Sequence, residues 1–78
     1  EPIILILEPG GTSPLDEPHN GEEFGYVITG TVFIHIGNKK FKAKKNESFY
    51  FKPYEQHYIS NEGSRQAQVL WIATPPSF

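Results

Sequence analysis

"EPHNGEEFGYVITG", residues 17–30, is the stretch on which the fold is read. It carries His19, then Glu23 four residues on, then Gly30 after a further six. If the segment is a strand, Glu17 and His19 point the same way, because side chains alternate faces. Whether Glu23 joins them depends on the turn. With Asn20-Gly21 as a two-residue loop, His19 lies opposite Glu22, and Glu23 faces away. With Asn20-Gly21-Glu22 as a three-residue loop, Glu17, His19 and Glu23 share one face. Local Asn-Gly chemistry favours the first arrangement, and a metal site requires the second.

Outward from this stretch, nothing reads as a helix. Short β-rich runs are broken by turn residues every eight to twelve positions, the spacing of a sandwich or barrel. The runs are "IILIL" at Ile3 to Leu7, "EEFGYVIT", "TVFIHI", "KKFKAK", "ESFYF", "HYIS" and "QAQVLWIA". Gly30 separates the second from the third, "GN" at Gly37 and Asn38 makes a tight hairpin turn, and "TPPSF" stops the last. Seven to eight strands are expected, all antiparallel, since no crossover helix is available to join parallel ones. The fold class is all-β: one small antiparallel barrel over residues 1–78, with no second domain or repeat.

The two end runs are apolar without alternation: Ile3 to Leu7, and Val69-Leu70-Trp71-Ile72-Ala73. An antiparallel strand with one wet face alternates. These runs therefore predict burial on both faces, with a second subunit covering the outer one. The competing covers are a preceding segment of chain or the middle of a two-sheet sandwich.

Composition narrows the function. A chain of 78 residues buries only about 60% of its unfolded surface and usually needs a staple. It has no cysteine, which excludes disulfides and thiolate metal sites. A closed barrel, a metal held by N and O ligands, or oligomerisation remains. Seven Lys and Arg against nine Asp and Glu give a net charge of −2, a poor footprint for binding nucleic acid unaided. No run is long enough to cross a membrane as a helix. Lack of cysteine suits a reducing cytoplasm, the expected location. The chain begins at Glu1 and lacks methionine, so it is expected to be a fragment of a longer protein whose N-terminal part is absent.

A second stretch completes the pattern. In "NESFYFKPYEQHYISN", His57 lies eleven residues after Asn46 and four before Asn61. The two stretches together resemble the paired motifs of the cupin superfamily, over about residues 3 to 75. His19 matches the second His of the HxH pair, Glu23 the Glu, Gly30 the Gly, and His57 and Asn61 the second-motif His and Asn. The resemblance is nearest to the small cupin sensor domains that follow a helix-turn-helix in XRE-type regulators. It implies a jelly roll, or double-stranded β-helix. Three positions depart from the motifs: Glu17 stands where the first His falls, Asn46 replaces a Gly, and Pro53 sits one place late, with Glu55 near a second Gly.

The resemblance implies a metal shell of Glu17, His19, Glu23 and His57, a two-Glu, two-His set suited to Zn, Mn, Fe or Ni. The alternative is a pocket without metal, in which His19 and His57 hydrogen-bond to Glu17 and Glu23. Tyr26, His35 and Tyr50 are candidate ligand-pocket residues, with Tyr58 and Trp71 as further aromatic walls or as core. If Val32, Ile34 and Ile36 face one side of their strand, Phe33 and His35 face the other. Five lysines fall between Lys39 and Lys45. Lys40, Lys42 and Lys44 share a strand face, read as a solvated edge kept from pairing by charge.

Three functions compete. The favoured one is a small-molecule sensor of a transcription regulator. It binds a metabolite in the barrel, dimerises through its apolar end strands, and reaches DNA only through a helix-turn-helix part outside this chain. The second is a small metal-dependent enzyme of dioxygenase or isomerase type. Against it, the motif regions offer no further acid, base or anchoring Arg, and the single arginine, Arg65, lies in the turn "NEGSR". The third is a barrel kept only for dimerisation.

Overall fold

In the computed structural model, residues 2–75 are described. Seven strands follow in order: β1 (Pro2–Leu7), β2 (Glu22–Thr29), β3 (Thr31–Ile36), β4 (Lys39–Lys44), β5 (Ser48–Phe51), β6 (His57–Ser60) and β7 (Ala67–Thr74). They form a four-stranded sheet, β1-β7-β2-β5, and a three-stranded sheet, β4-β3-β6. Every pairing is antiparallel. The expected stop at 74–78 begins where β7 ends, and its last three residues lie outside the described ones.

Turn chemistry sets the boundaries. Gly37 and Asn38 form a two-residue hairpin loop that pairs Ile36 with Lys39. Gly37 takes a φ of 56°, as the first loop position of such a hairpin demands. Asn46, the position that departs from a motif Gly, has a φ of 70°. Asn is among the few side-chain-bearing residues that adopt this conformation readily, so the departure keeps the turn.

The core lies between the sheets. Val27, Val32, Ile34, Ala43, Ile59, Val69 and Trp71 are all buried there. Period-2 alternation holds along β2, where Glu23, Gly25 and Val27 point inward, and along β7, where Ala67, Val69, Trp71 and Ala73 do. The ring of Phe49 rests directly on Gly25, where an added Cβ would meet it at 2.1 Å. Phe49 then meets Trp71 edge-on at 5.7 Å, which fixes the indole beside Glu23.

β1 alternates despite its apolar sequence: Leu7 is buried, while Ile4 and Ile6 on the opposite face are about half exposed. Among the described residues, none covers that outer face.

The largest correction concerns residues 17–22, which form no hairpin. Glu22 already belongs to β2, whose partners are β5 and β7. Residues 10–16 instead run along the edge of β6, with bridges between Thr12 and Ser60 and between Asp16 and His57. Pro14 and Pro18 explain this. A proline has no N–H for the ladder and is confined to edges, so only isolated bridges form beside them. The segment covers a sheet edge that would otherwise be open to another chain. No helix among the described residues is long and apolar enough to cross a membrane.

Candidate metal centre

Glu23 and His57 converge between the sheets by separate routes. Inward parity on β2 carries Glu23 into the interior, where it is 1% exposed. His57 opens β6 and is fully buried. His19 arrives from the edge segment, held by its N–H donating to the Pro53 carbonyl at 2.9 Å. Donor atoms of the three side chains lie within 4.8 Å of one another.

Hydrogen bonding decides what these groups offer. The Nδ1 of His57 lies 2.9 Å from the Glu55 carbonyl oxygen, and the Nδ1 of His19 lies 2.9 Å from that of Asn20. A carbonyl only accepts, so each Nδ1 is assigned as the donor, and each ring turns its Nε2 towards the Glu23 carboxylate. Backbone carbonyls holding the far nitrogen in this way are the usual support of metal-binding histidines. The His19 Nε2 is 2.8 Å from the Glu23 Oε2, and the His57 Nε2 is 3.4 Å from the same oxygen. The His19–Glu23 contact is a hydrogen bond, with a proton in the place a bridging metal ion would take, whereas the longer His57 contact carries none. Among the described residues, the His57 Nε2 is the buried side-chain polar atom left without a hydrogen-bond partner. An orphaned buried group of this kind destabilises by about 1–3 kcal/mol.

The fit to a metal ion is good. Ligands about 2.0–2.2 Å from one centre stand about 3.0–3.5 Å apart at its edges; the observed 3.4 Å falls inside that spacing and the 2.8 Å just below it. Two imidazoles and a carboxylate suit Zn, Mn, Fe or Ni. The Glu23 Oε1 accepts from the Trp71 indole N–H, which fixes the carboxylate and turns Oε2 towards the two imidazoles.

Glu17 does not join the cluster. Both of its carboxylate oxygens accept from the Gln56 Nε2, at 3.0 and 3.1 Å. The neighbouring Asp16, which the motif comparison passed over, instead places its Oδ2 3.6 Å from the His57 Nε2. The sequence signal for Asp16 is its place midway between Pro14 and Pro18.

A cavity of about 570 Å³ opens between β3, β4 and β5. It is lined by Ile34, Ile36, Phe41, Ala43, Phe49 and Phe51, with Glu47, Ser48 and Tyr50 among its polar members. Its size falls within the range of small-molecule sites. Of the three expected pocket residues, Tyr50 lines it. Tyr26 does not, and its O–H donates to the Asn46 side chain at 2.8 Å, in an exposed position. His35 lies on the outer face of its sheet, stacked on Tyr58 at 4.1 Å and bonded to Ser60. Phe51 connects the two sites, since it lines the cavity and meets His57 edge-on at 5.2 Å.

Two pKa values are displaced, both at the surface. The Tyr50 phenol is raised, first by its hydrogen bond to the Glu22 carboxylate. The Glu62 carboxyl is lowered, first by its hydrogen bond from Lys40.

Two antiparallel sheets face to face, with an imidazole–carboxylate cluster between them, define a small double-stranded β-helix with a built interior site. The chain belongs to the cupin domains: the Cupin_2 family, described as "Cupin domain", matches residues 3–73. An uncharacterised protein of Methanocaldococcus jannaschii, MJ1618, is 30% identical over 91% of this chain and 57% of its own length. The HTH-type transcriptional regulator PuuR of Escherichia coli is 25% identical over 97% of this chain and 41% of its own. The chain thus spans about half the length of the curated relatives it matches. Among solved structures, the cupin domain of an XRE-family transcriptional regulator from Enterobacter cloacae superposes with a TM-score of 0.84 at 23% identity, covering 97% of this chain and 81% of that one. A predicted oxalate decarboxylase from Thermotoga maritima gives a TM-score of 0.82 at 22% identity, with 92% and 63% covered. At these identities the two structures establish the fold alone.

Proposed function

We propose that this chain is the small-molecule-sensing domain of a cytoplasmic transcription regulator, with a divalent ion held by His19, Glu23 and His57. The observation that carries the metal part is the orphaned, buried Nε2 of His57 beside the carboxylate of Glu23. When bound, the ion supplies a positive charge at which an anionic or carbonyl group of an effector is held. Glu23 stays fixed by Trp71, and both imidazoles are kept in one tautomer by backbone carbonyls.

The apolar cavity supports the sensor part. Its wall of Phe41, Phe49 and Phe51 suits an effector with an apolar body, and the Phe51 ring reports that body to His57. An effector shifts a regulator only by binding its two states unequally. That difference would lie in how the effector seats Phe51 and the β4–β5 side of the barrel. The regulator among the relatives supports a DNA-binding part elsewhere in a longer protein.

A second copy of the chain is the proposed cover for the outer face of β1 and β7. Ile4 pairs with Leu70, and Pro2 with Ile72. Tyr26 continues the first row, and Phe24 the second. Edge strand β1 carries no charge within Pro2–Leu7, although charge is how monomers protect such edges. A self-complementary apolar face of this kind closes across a two-fold axis.

The test is a thermal-melting screen of the metal-loaded chain against metabolites with apolar bodies and carboxylate or carbonyl heads. Stabilisation by one such class, lost in Phe49→Ala, is the expected result. The reading fails if no class stabilises the chain and the gene's upstream codons encode no helix-turn-helix.

A further inference from the structure

Asp16 has no counterpart in the motif comparison, yet two backbone hydrogen bonds tie it to His57 of the candidate centre. Its N–H donates to the His57 carbonyl at 2.9 Å, and the His57 N–H donates to the Asp16 carbonyl at 3.0 Å. This reciprocal pair fixes the two α-carbons opposite each other, as in a strand pair. The Asp16 carboxylate lies 3.6 Å from the orphaned His57 Nε2, although it stands outside the His19, Glu23 and His57 group whose donor atoms all lie within 4.8 Å of one another. Glu17, one position on, leaves on the other face and spends both oxygens on Gln56.

We propose that Asp16, not Glu17, is the fourth protein ligand of the metal, giving a two-His, one-Glu, one-Asp set. The inference rests on the metal reading above and deepens it. Glu23 and His57 are drawn from the interior side of the site, whereas His19 and Asp16 come from the edge segment and are partly exposed. Two carboxylates balance the charge of a divalent ion inside the barrel, where an unbalanced charge is costly. They also tilt the site towards ions that favour oxygen, Mn and Fe, over softer ones.

Calorimetric titration of the 78-residue chain with Mn2+ tests this, comparing wild type with Asp16→Asn and Glu17→Gln. Asp16→Asn keeps the shape and the backbone pair, and an unchanged melting temperature of the metal-free variant checks its fold. Asp16→Ser serves if that check fails. Loss of Asp16 should weaken Mn2+ by at least about tenfold, the lower bound for removing even an outer-shell partner. Loss of Glu17 should leave binding unchanged. Absorption of a Co2+ derivative should change in Asp16→Asn and stay constant in Glu17→Gln. Wild-type affinity in Asp16→Asn, or a larger loss in Glu17→Gln, overturns the assignment while the metal reading stands. A wild-type chain that binds neither Mn2+ nor Co2+ overturns both.

Discussion

The Nε2 of His57 lies 3.4 Å from the Oε2 of Glu23, with both side chains buried and no hydrogen bond completing the nitrogen. Replacing the carboxylate by an amide changes what this pair requires. In Glu23→Gln the side chain can donate to an imidazole lone pair, so the metal-free protein should be as stable as wild type or more so. Its melting temperature should no longer respond to added metal. Paired melts with and without Zn2+ check this, and a retained metal response would remove Glu23 from the ligand set.

Trp71 positions Glu23 through its indole N–H. Trp71→Phe keeps most of the core volume and deletes that bond to a buried charged acceptor. Hydrogen bonds to charged groups contribute about 1.5–3 kcal/mol, and urea unfolding of the metal-free chain should show a loss of that order. Metal affinity should fall as well, because the carboxylate is no longer held.

Asn61 is a latch rather than a site residue. Its side-chain amide donates to the Leu7 carbonyl at 2.9 Å and the Arg65 carbonyl at 2.7 Å, and its Oδ1 accepts from the Gly63 N–H at 3.0 Å. Asn61→Ala should destabilise by about 1–3 kcal/mol, since it orphans buried backbone groups. Metal affinity of the folded variant should be unaltered, and a loss of affinity without loss of stability would contradict this role.

Much of this was legible in the chain itself. Gly30, Gly37 and the breaker clusters place the strands, because turns with special backbone geometry admit few residues. Glu23 and His57 were readable as partners only through the distant pairing of two stretches. Three features escape that reading. Pro14 and Pro18 keep the segment around Glu17 out of a regular strand, so counting residues assigned Glu17 where the bridge delivers Asp16. His35 was named for the pocket, although parity along β3 had already set it opposite Val32 and Ile34, whose face is the core. The unbroken apolar run of β1 concealed an alternation that only pairing with β7 reveals, with Ile4 and Ile6 outward.

That outward face yields its own test. Ile4→Lys with Ile6→Lys places two charges on β1 without touching the inward Ile3, Leu5 and Leu7. Light scattering behind size exclusion should report a dimer for wild type and a monomer for the variant. A wild-type monomer would leave the face without its proposed cover.

The surface ion pair of Lys40 and Glu62 gives a pH signature. The hydrogen bond from Lys40 holds the folded Glu62 carboxyl below its ordinary value of 4.5. Its stabilisation is therefore present above that value and fades as pH falls through the lowered one. Unfolding midpoints of wild type and Glu62→Gln should differ slightly at neutral pH and coincide in strong acid. The difference will be small, because exposed pairs are screened by solvent.

The central claim is that His19, Glu23 and His57 hold one divalent ion. Elemental analysis of the purified chain, with melting before and after chelation, tests it most directly. A ligand at about one hundred times its dissociation constant stabilises by about 2.7 kcal/mol, or about 10–20 °C for a domain of this size. The account predicts one equivalent of metal per chain, a fall of that order on its removal, and no response in His57→Ala. A chain that carries no metal, gains none from Zn, Mn, Fe or Ni, and melts at the same temperature throughout would contradict it.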